Sequence, residues 1–164
     1  MNRRESNNSA NCVVLRITDE LRIDELVKIN VEAFTHPWTK EMFLDELRCP
    51  NRSYLYAAFT RSRRIAGYCS VWAIEDTLQV NSLAVAVQYQ RQGIAGSLLK
   101  EIVTLGRKLR SLTISLEVRK SNRAARSLYG RYRFKEIGAR AGYYRQPTED
   151  AVILSRCLES RRGV

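Results

Sequence analysis

Residues 80–102 read VNSLAVAVQYQRQGIAGSLLKEI, and two periodicities meet inside them. Val80 to Val85 is an apolar run of strand length. From Ile94 onward, Leu98, Leu99, Ile102, Val103 and Leu109 recur at helical spacing. Between the two lie Gln90, Arg91, Gln92 and Gly93, then Ala95, Gly96 and Ser97, all small or polar. A strand that passes into a helix through its smallest residues has two readings. Glycine serves a tight turn that needs its backbone angles. Alternatively, small residues let an anion approach the free N–H groups at the helix start, where the helix dipole also favours negative charge. Arg91 adds a cation to the second reading. On this stretch alone both stand.

Working outward, the helix is expected over Gln92 to Arg110 and a strand over Leu112 to Val118, where Leu112, Ile114, Leu116 and Val118 alternate with polar residues. Strand, crossover helix and strand together predict a parallel pair. Before it, Cys12 to Ile17 reads as a strand and Arg22 to Phe34 as a helix with Ile23, Leu26, Ile29 and Ala33 on one face. His36, Pro37 and Trp38 break that helix, and Thr39 caps a shorter one that Pro50 and Asn51 end. Ser53 to Thr60 and Ile65 to Glu75 flank the basic turn Arg61 to Arg64 as a hairpin, and Thr77 to Ala86 continues the meander. After the crossover unit, Asn122 to Arg131 reads as a helix. Phe134 to Arg140 and Ala151 to Leu158 read as closing strands around AGYYRQPTED. The order β-α-α-β-β-β-α-β-α-β-β predicts an α/β (α+β) domain: a mixed, mostly antiparallel sheet with helices on both faces.

The 164 residues suffice for one domain with a core and are too few for two. Residues 1–11 lack the apolar core of a signal peptide and read as a disordered lead-in, 12–158 as the domain, and 159–164 as a basic tail. No apolar run approaches the about 18 to 20 residues of a membrane span, so a cytoplasmic protein without membrane contact is expected. Cys12, Cys49, Cys69 and Cys157 are scattered and His36 is the single histidine, which argues against zinc and against a disulfide framework. Cys69 and Cys157 fall in apolar runs and read as core thiols. Lys and Arg number 28 against 17 Asp and Glu, a formal charge of +11. That excess suits an anionic partner, whether nucleic acid, a ribosomal surface or a polyphosphate cofactor, and equally a solvated basic surface. Aromatics do not interleave with the basic residues as they do in RNA-binding modules, so no specific nucleic-acid partner is expected.

Further along, LEVRKSNRAARSLYGRYRF places Glu117 at the end of one strand, Asn122 at a helix start and Tyr129 within that helix. Singly, Glu117 reads as an exposed carboxylate or a partner for Arg119, Asn122 as a cap, and Tyr129 as a core aromatic. Together with QRQGIAG they resemble the GCN5-related N-acetyltransferase superfamily, whose pyrophosphate loop Q/R-x-x-G-x-G/A is matched by Gln90, Gly93 and Ala95. FTHPWTKEMF, NSLAVAVQYQRQGIAGSLL, LEVRKSNRAARSLY and the tyrosines at 143 and 144 resemble in particular its bacterial ribosomal-protein-alanine branch. The resemblance covers Cys12 to Leu158.

The resemblance implies acetyl-CoA as cosubstrate. Backbone groups of Leu83, Ala84 and Val85 would pair with the pantetheine, Arg91, Gln92, Gly93, Ile94, Ala95 and Gly96 would hold the pyrophosphate, and Asn122 would touch the pantetheine or cysteamine end. Glu117 would be the general base and Tyr129 the general acid, with no metal. Trp38, Tyr143 and Tyr144 would flank the acceptor, by implication the N-terminal alanine of a small-subunit ribosomal protein taken by a monomer; surface packing is the plainer reading of those aromatics. Other protein N-termini or a small-molecule amine form the alternative acceptors, and a basic RNA- or ribosome-binding module without catalysis is the non-enzymatic one. Glu41, Asp45 and Glu46 are expected to receive the acceptor's positive charge. Two departures from the pattern stand out. Ala86-Val87-Gln88 replaces the usual Asp-Pro before the loop, and Arg133 stands where glycine usually permits a left-handed helix end.

Overall fold

The computed structural model describes residues 12–158; the lead-in and the basic tail lie outside them. The elements run β1 (Cys12–Arg16), α1 (Ile23–Ala33), α2 (Lys40–Arg48), β2 (Ser53–Thr60), β3 (Ile65–Ile74), β4 (Thr77–Val85), α3 (Ile94–Leu109), β5 (Thr113–Arg119), α4 (Arg123–Arg131), β6 (Lys135–Arg145) and β7 (Thr148–Cys157). This is the expected order. All seven strands form one sheet in the order β1-β2-β3-β4-β5-β7-β6. Every neighbouring pair is antiparallel except β4–β5.

Two apolar layers cover the sheet. On one face Ile23, Leu26 and Ile29 of α1 and Phe43 of α2 pack on Leu55, Ala57, Tyr68 and Ala84. On the other, Ile94, Leu98, Leu99 and Ile102 of α3 and Tyr129 of α4 pack on Cys69, Val71, Leu78, Val80, Ile114 and Leu116. Thr39 caps α2 as expected, its hydroxyl accepting from the Met42 N–H at 3.3 Å.

The feature that positions the site is a β-bulge. Ser70 lies opposite Ser82 and Val71 opposite Val80, which leaves Asn81 as the extra residue of β4. One inserted residue exchanges the two faces of a strand. Leu78 and Val80 accordingly point to the α3 side, whereas beyond the bulge it is Ala84 that points to the α1 side. The parallel ladder with β5 stops at the same place: it runs from Thr77↔Thr113 to Val80↔Leu116. Beyond that, β4 stays paired with β3 to Val85, and β5 with β7 to Arg119. The sheet therefore parts between Leu83–Val85 and Glu117–Arg119.

Several boundaries differ from those expected. α3 begins at Ile94 rather than Gln92, because Gly93 takes a left-handed conformation (φ 84°) as its N-cap. AGYYRQPTED is no open loop: β6 continues to Arg145 and β7 begins at Thr148, a hairpin turning at Gln146–Pro147. Cys69 is buried as expected, and burial pushes its thiol well above the usual range. Cys157 is exposed, against expectation, because the inward position of that strand end belongs to Leu158. Arg133 does adopt the left-handed conformation (φ 64°). Without Asp-Pro, residues Val87–Tyr89 still form one 3-10 turn, closed by Tyr89 N–H to the Ala86 carbonyl at 2.8 Å. Among the described residues no helix is long and apolar enough to cross a membrane.

Candidate active site

The parted strands open into a cleft of about 930 Å3 that cuts across the sheet. Its walls are the end of α1 with the following loop, the exposed ends of β3 to β5, the first turns of α4, and β6. Of the residues singled out from sequence, Trp38, Leu83, Glu117, Asn122, Tyr129, Tyr143 and Tyr144 all line it.

Glu117 follows Leu116, the last residue paired to β4, and so stands at the apex of the parting, beside the bulged Asn81. Its side chain keeps 18% exposure and meets the Arg140 guanidinium, Nε to Oε1, at 3.1 Å. Its partner is thus Arg140 of β6, not Arg119. Arg119 pairs with Glu149 at 3.3 Å, donates to the carbonyls of Gln146 and Pro147, and stacks over the Tyr144 ring at 4.1 Å. Hydrogen bonding to Glu117 is the main cause that raises the Tyr143 phenol above its usual range, with burial second. Arg140 and Tyr143 therefore hold the carboxylate in place from β6. Sequence reasoning missed Arg140, since a cation on an edge strand looks like any other surface charge.

Tyr129 approaches from the opposite face. It is packed edge-on against Phe134, ring centroids 5.6 Å apart, and burial pushes its phenol up to about 12. Asn122 caps α4, its side-chain oxygen accepting from the Ala125 N–H at 3.0 Å. That leaves its amide nitrogen on the cleft wall. Trp38 packs on Phe43 (5.3 Å), and Tyr143 stands perpendicular to Tyr144 (5.2 Å, 89°).

The other loop lies at the start of α3. Arg91 (φ 62°) and Gly93 (φ 84°) turn the chain, and no side chain caps the helix. Gln92 donates to the Gln88 carbonyl at 3.0 Å and Gln90 to that of Val85 at 3.3 Å, bracing the turn from within. Gly96 is different. It is buried, and a Cβ there would come within 2.2 Å of the Tyr132 hydroxyl. Its smallness serves the packing of α4 against α3 rather than the approach of an anion. The acidic residues of α2 are engaged elsewhere too. Glu41 and Asp45 both hold Arg48, and Glu46 is buried among Ser53, Ser70 and Trp72. None of the three lines the cleft.

What the arrangement suits is a long, partly extended, diphosphate-bearing ligand. The edges of Leu83, Ala84 and Val85 that face β5 have no strand beside them. The Asn81 side-chain amide is buried without a hydrogen-bond partner, a donor that calls for an acceptor. The uncapped α3 start presents free N–H groups and the positive end of a helix dipole. A family model described as the acetyltransferase (GNAT) family matches residues 23–134, the span that carries all three features. The chain belongs to the GNAT acetyltransferase family. Its members are acyltransferases whose cosubstrate is acetyl-CoA, and the residues here fit that cosubstrate.

Among named relatives, the chain is similar to the [ribosomal protein bS18]-alanine N-acetyltransferase of Escherichia coli K12, 32% identical over 131 residues, covering 77% of this chain and 85% of that one. It is equally 32% identical over 124 residues to the N-alpha-acetyltransferase RimI of Mycobacterium tuberculosis, covering 73% and 75%. Among solved structures, the ribosomal-protein-S18-alanine N-acetyltransferase from Escherichia coli superposes with a TM-score of 0.82 at 24% identity, covering 93% of this chain and 99% of that one. Arabidopsis thaliana NAA60 in complex with acetyl-CoA superposes with a TM-score of 0.80 at 19% identity, covering 91% and 99%. The GNAT fold is thus shared along almost the whole described chain. Among the described residues no three His, Cys, Asp or Glu side chains gather as a metal site.

Proposed function

We propose that this GNAT enzyme acetylates the α-amine of a protein N-terminus, and that its acceptor is the N-terminal alanine of a small-subunit ribosomal protein. The observation that carries the reading is Glu117: a carboxylate at the apex of the parted strands, steadied from β6, on the face that Trp38 and Tyr143 border. The relatives named for ribosomal protein bS18 support the acceptor. The cleft is open on this face, where Tyr143 is 48% exposed, which suits a chain end better than an enclosed small amine.

An α-amine titrates near 8, so at neutral pH most of it is protonated and cannot attack. Glu117 takes that proton, directly or through a water, and frees the nitrogen lone pair. A nitrogen–carbon bond then forms at the thioester carbonyl and the carbon–sulfur bond breaks, giving the acetylated amine and CoA thiol. Backbone N–H groups near Val85 are placed to meet the developing oxyanion. Tyr129, which burial keeps protonated, gives its proton to the leaving sulfur as general acid, and the second proton of the amine nitrogen restores the phenol. Leu83 to Val85 would hold the pantetheine by backbone pairing, Arg91 to Ala95 the pyrophosphate, and Asn122 the pantetheine end through its free amide nitrogen.

We further place the protein in the cytoplasm as a monomer that engages neither membrane nor specific nucleic acid. The test is acetyl transfer to peptides that differ only in their first residue. Alanine should be used best and leucine poorly. Equal use of all first residues would move the acceptor to other N-termini. Transfer to none, with small amines accepted, would move it off proteins altogether. A thermal shift with RNA but not with acetyl-CoA would favour a binding module.

A further inference from the structure

We infer that the cleft contains a second, apolar acceptor subsite, walled by Trp72, that reads the side chain of the third or fourth residue of the acceptor peptide; the inference rests on the peptide-acceptor reading above. Trp72 and Ile74 of β3 lie on the α1 face of the sheet, the same face as Glu117, and both line the cleft. Phe34, just past α1, lines it from across the gap. Phe34 and Ile74 keep 39% and 40% exposure, a large amount for apolar side chains on a cleft wall. Trp72 and Ile74 stand beside Gln79 and Thr77 of β4, in register with Ser115 and Thr113 of β5 and so away from its Glu117–Arg119 end.

Trp72 is also held in an unusual way. Its indole N–H donates to both oxygens of Glu46, at 3.0 and 2.9 Å. Glu46 is buried on α2 and accepts further bonds from Ser70 at 2.7 Å and from Ser53. The Arg52 guanidinium lies over the indole, 5.2 Å from its centroid. Burying a carboxylate carries a desolvation cost that packing alone would not need. Here four groups fix one ring whose remaining surface faces the cleft. A preformed apolar wall of this kind loses little side-chain freedom when it binds.

The spacing sets the register. Trp72 pairs with Gln79, Gln79 with Ser115, and Glu117 lies two residues further along β5. With strands about 4.8 Å apart and about 3.3 Å of rise per residue, the backbone positions of Trp72 and Glu117 are on the order of 12 Å apart. An extended peptide covers that in three to four residues at about 3.3–3.6 Å each. The occupant is apolar or aromatic, because Trp72, Ile74 and Phe34 present hydrocarbon to the cleft, Arg52 lies over the indole without lining the cleft, and the indole's one polar hydrogen is already bound to Glu46.

The test uses hexapeptides that begin with alanine and carry Ser, Phe, Glu or Lys at the third and, separately, the fourth position. The full-length enzyme should use the better-placed Phe peptide with kcat/KM about tenfold above its Ser counterpart, mostly through KM, since burying such a side chain is worth at least that much. Trp72→Ala should bring the two within about twofold of each other, with acetyl-CoA binding as the check of folding. Ile74→Asp, at a more exposed position, should reverse the preference towards a lysine-bearing peptide. Wild-type indifference at both positions would overturn the subsite while leaving the alanine reading intact. So would an unchanged Phe preference in either variant, or a preference for Glu that follows the basic surface. Failure to acetylate any peptide would overturn both readings.

Discussion

Two strand–helix junctions flank the parted strands, and they are built on opposite plans. Where β4 passes into α3, the chain turns through left-handed Arg91 and Gly93, and the helix begins without a side-chain cap. Where β5 passes into α4, Asn122 caps the helix with its own side chain. The first junction offers backbone: free N–H groups and an unpaired strand edge. The second offers side chains: Glu117 near the strand end, Asn122 at the turn and Tyr129 about two helical turns further on. Backbone donors bind charge without titrating, and carboxylates and phenols move or hold protons. Placing one kind on each side of a parted parallel pair is what the proposed mechanism uses: the cosubstrate would bind against the first while its thioester is presented to the second.

The comparison breaks most visibly at Glu117. Glu117→Gln keeps the shape of its junction and removes the proposed base, so kcat/KM at neutral pH should fall by about 10²- to 10⁴-fold. Part of the loss should return as the pH rises towards the amine's own titration near 8. A variant with the wild-type rate and pH profile would show that the β5 junction does not do the proton chemistry. Arg140→Ala, which frees the carboxylate on one side, should cost less and should act through Glu117, adding little in the double variant.

A sharper test gives the bare junction the chemistry of the capped one. Gly93→Asp adds an acceptor and a negative charge at the α3 start, in a residue type that tolerates φ 84° better than most. Stability should fall by up to about 1–2 kcal/mol through the left-handed strain, while acetyl-CoA binding should weaken by about tenfold or more, or about 1.4 kcal/mol, as read by titration calorimetry on the folded variant. Unchanged affinity would reduce this loop to a turn. The reciprocal variant, Asn122→Ala, should cost about 1 kcal/mol of stability through the lost cap. Asn122→Ser keeps a side-chain cap and removes the amide nitrogen without adding charge, so a raised KM for acetyl-CoA in that variant would mark the proposed contact with the cosubstrate.

Tyr129 distinguishes the junctions by pH. Its phenol is raised by burial to about 12, against about 10 in an unfolded chain. A raised acid favours the folded state only while protonated. Its contribution to stability is therefore intact below pH 10 and is lost progressively as the pH approaches 12. Tyr129→Phe should flatten the decline in denaturant midpoint between pH 9.5 and about 11.5. Some slope should remain, because Tyr56 is raised to about 12 as well.

How far these junctions could be read from residues alone differs in the same way. The β4 junction was visible as a cluster of small residues, since backbone function demands an absence of side chains. The β5 junction was visible as one acid in an apolar strand. The bulge at Asn81 was not visible, because an extra residue in β4 shows only against the register of β3. Nor was the length of β6, an edge strand exposed along most of its course, so that KEIGARAGYYR carries no apolar alternation. Gly96 misled for a related reason: its neighbour Tyr132 is 36 positions away in sequence, and smallness does not say what it makes room for. Glu46 could not have been placed, since its partners come from two separate strands, β2 and β3.

At their far ends the two helices are alike, and this yields the smallest effect. α3 ends on Arg110 (φ 58°), and Arg133 (φ 64°) follows α4 with its N–H on the Gly130 carbonyl at 3.0 Å. A side chain in the left-handed region costs roughly 1–2 kcal/mol relative to the right-handed one. Glycine removes that cost and returns part of it by loosening the unfolded chain, about 0.4–1 kcal/mol. Arg133→Gly should therefore stabilise by roughly 0.5 to 1 kcal/mol, about 1–4 °C in Tm for a chain of this size. Arg110→Gly should do the same, and because the two sites are on different helices the gains should add. Neither should change KM for acetyl-CoA. If Arg133→Gly leaves Tm unchanged or lowers it while Arg110→Gly raises it, then the Arg133 side chain offsets its own strain, and the two helix ends are no more alike than their beginnings.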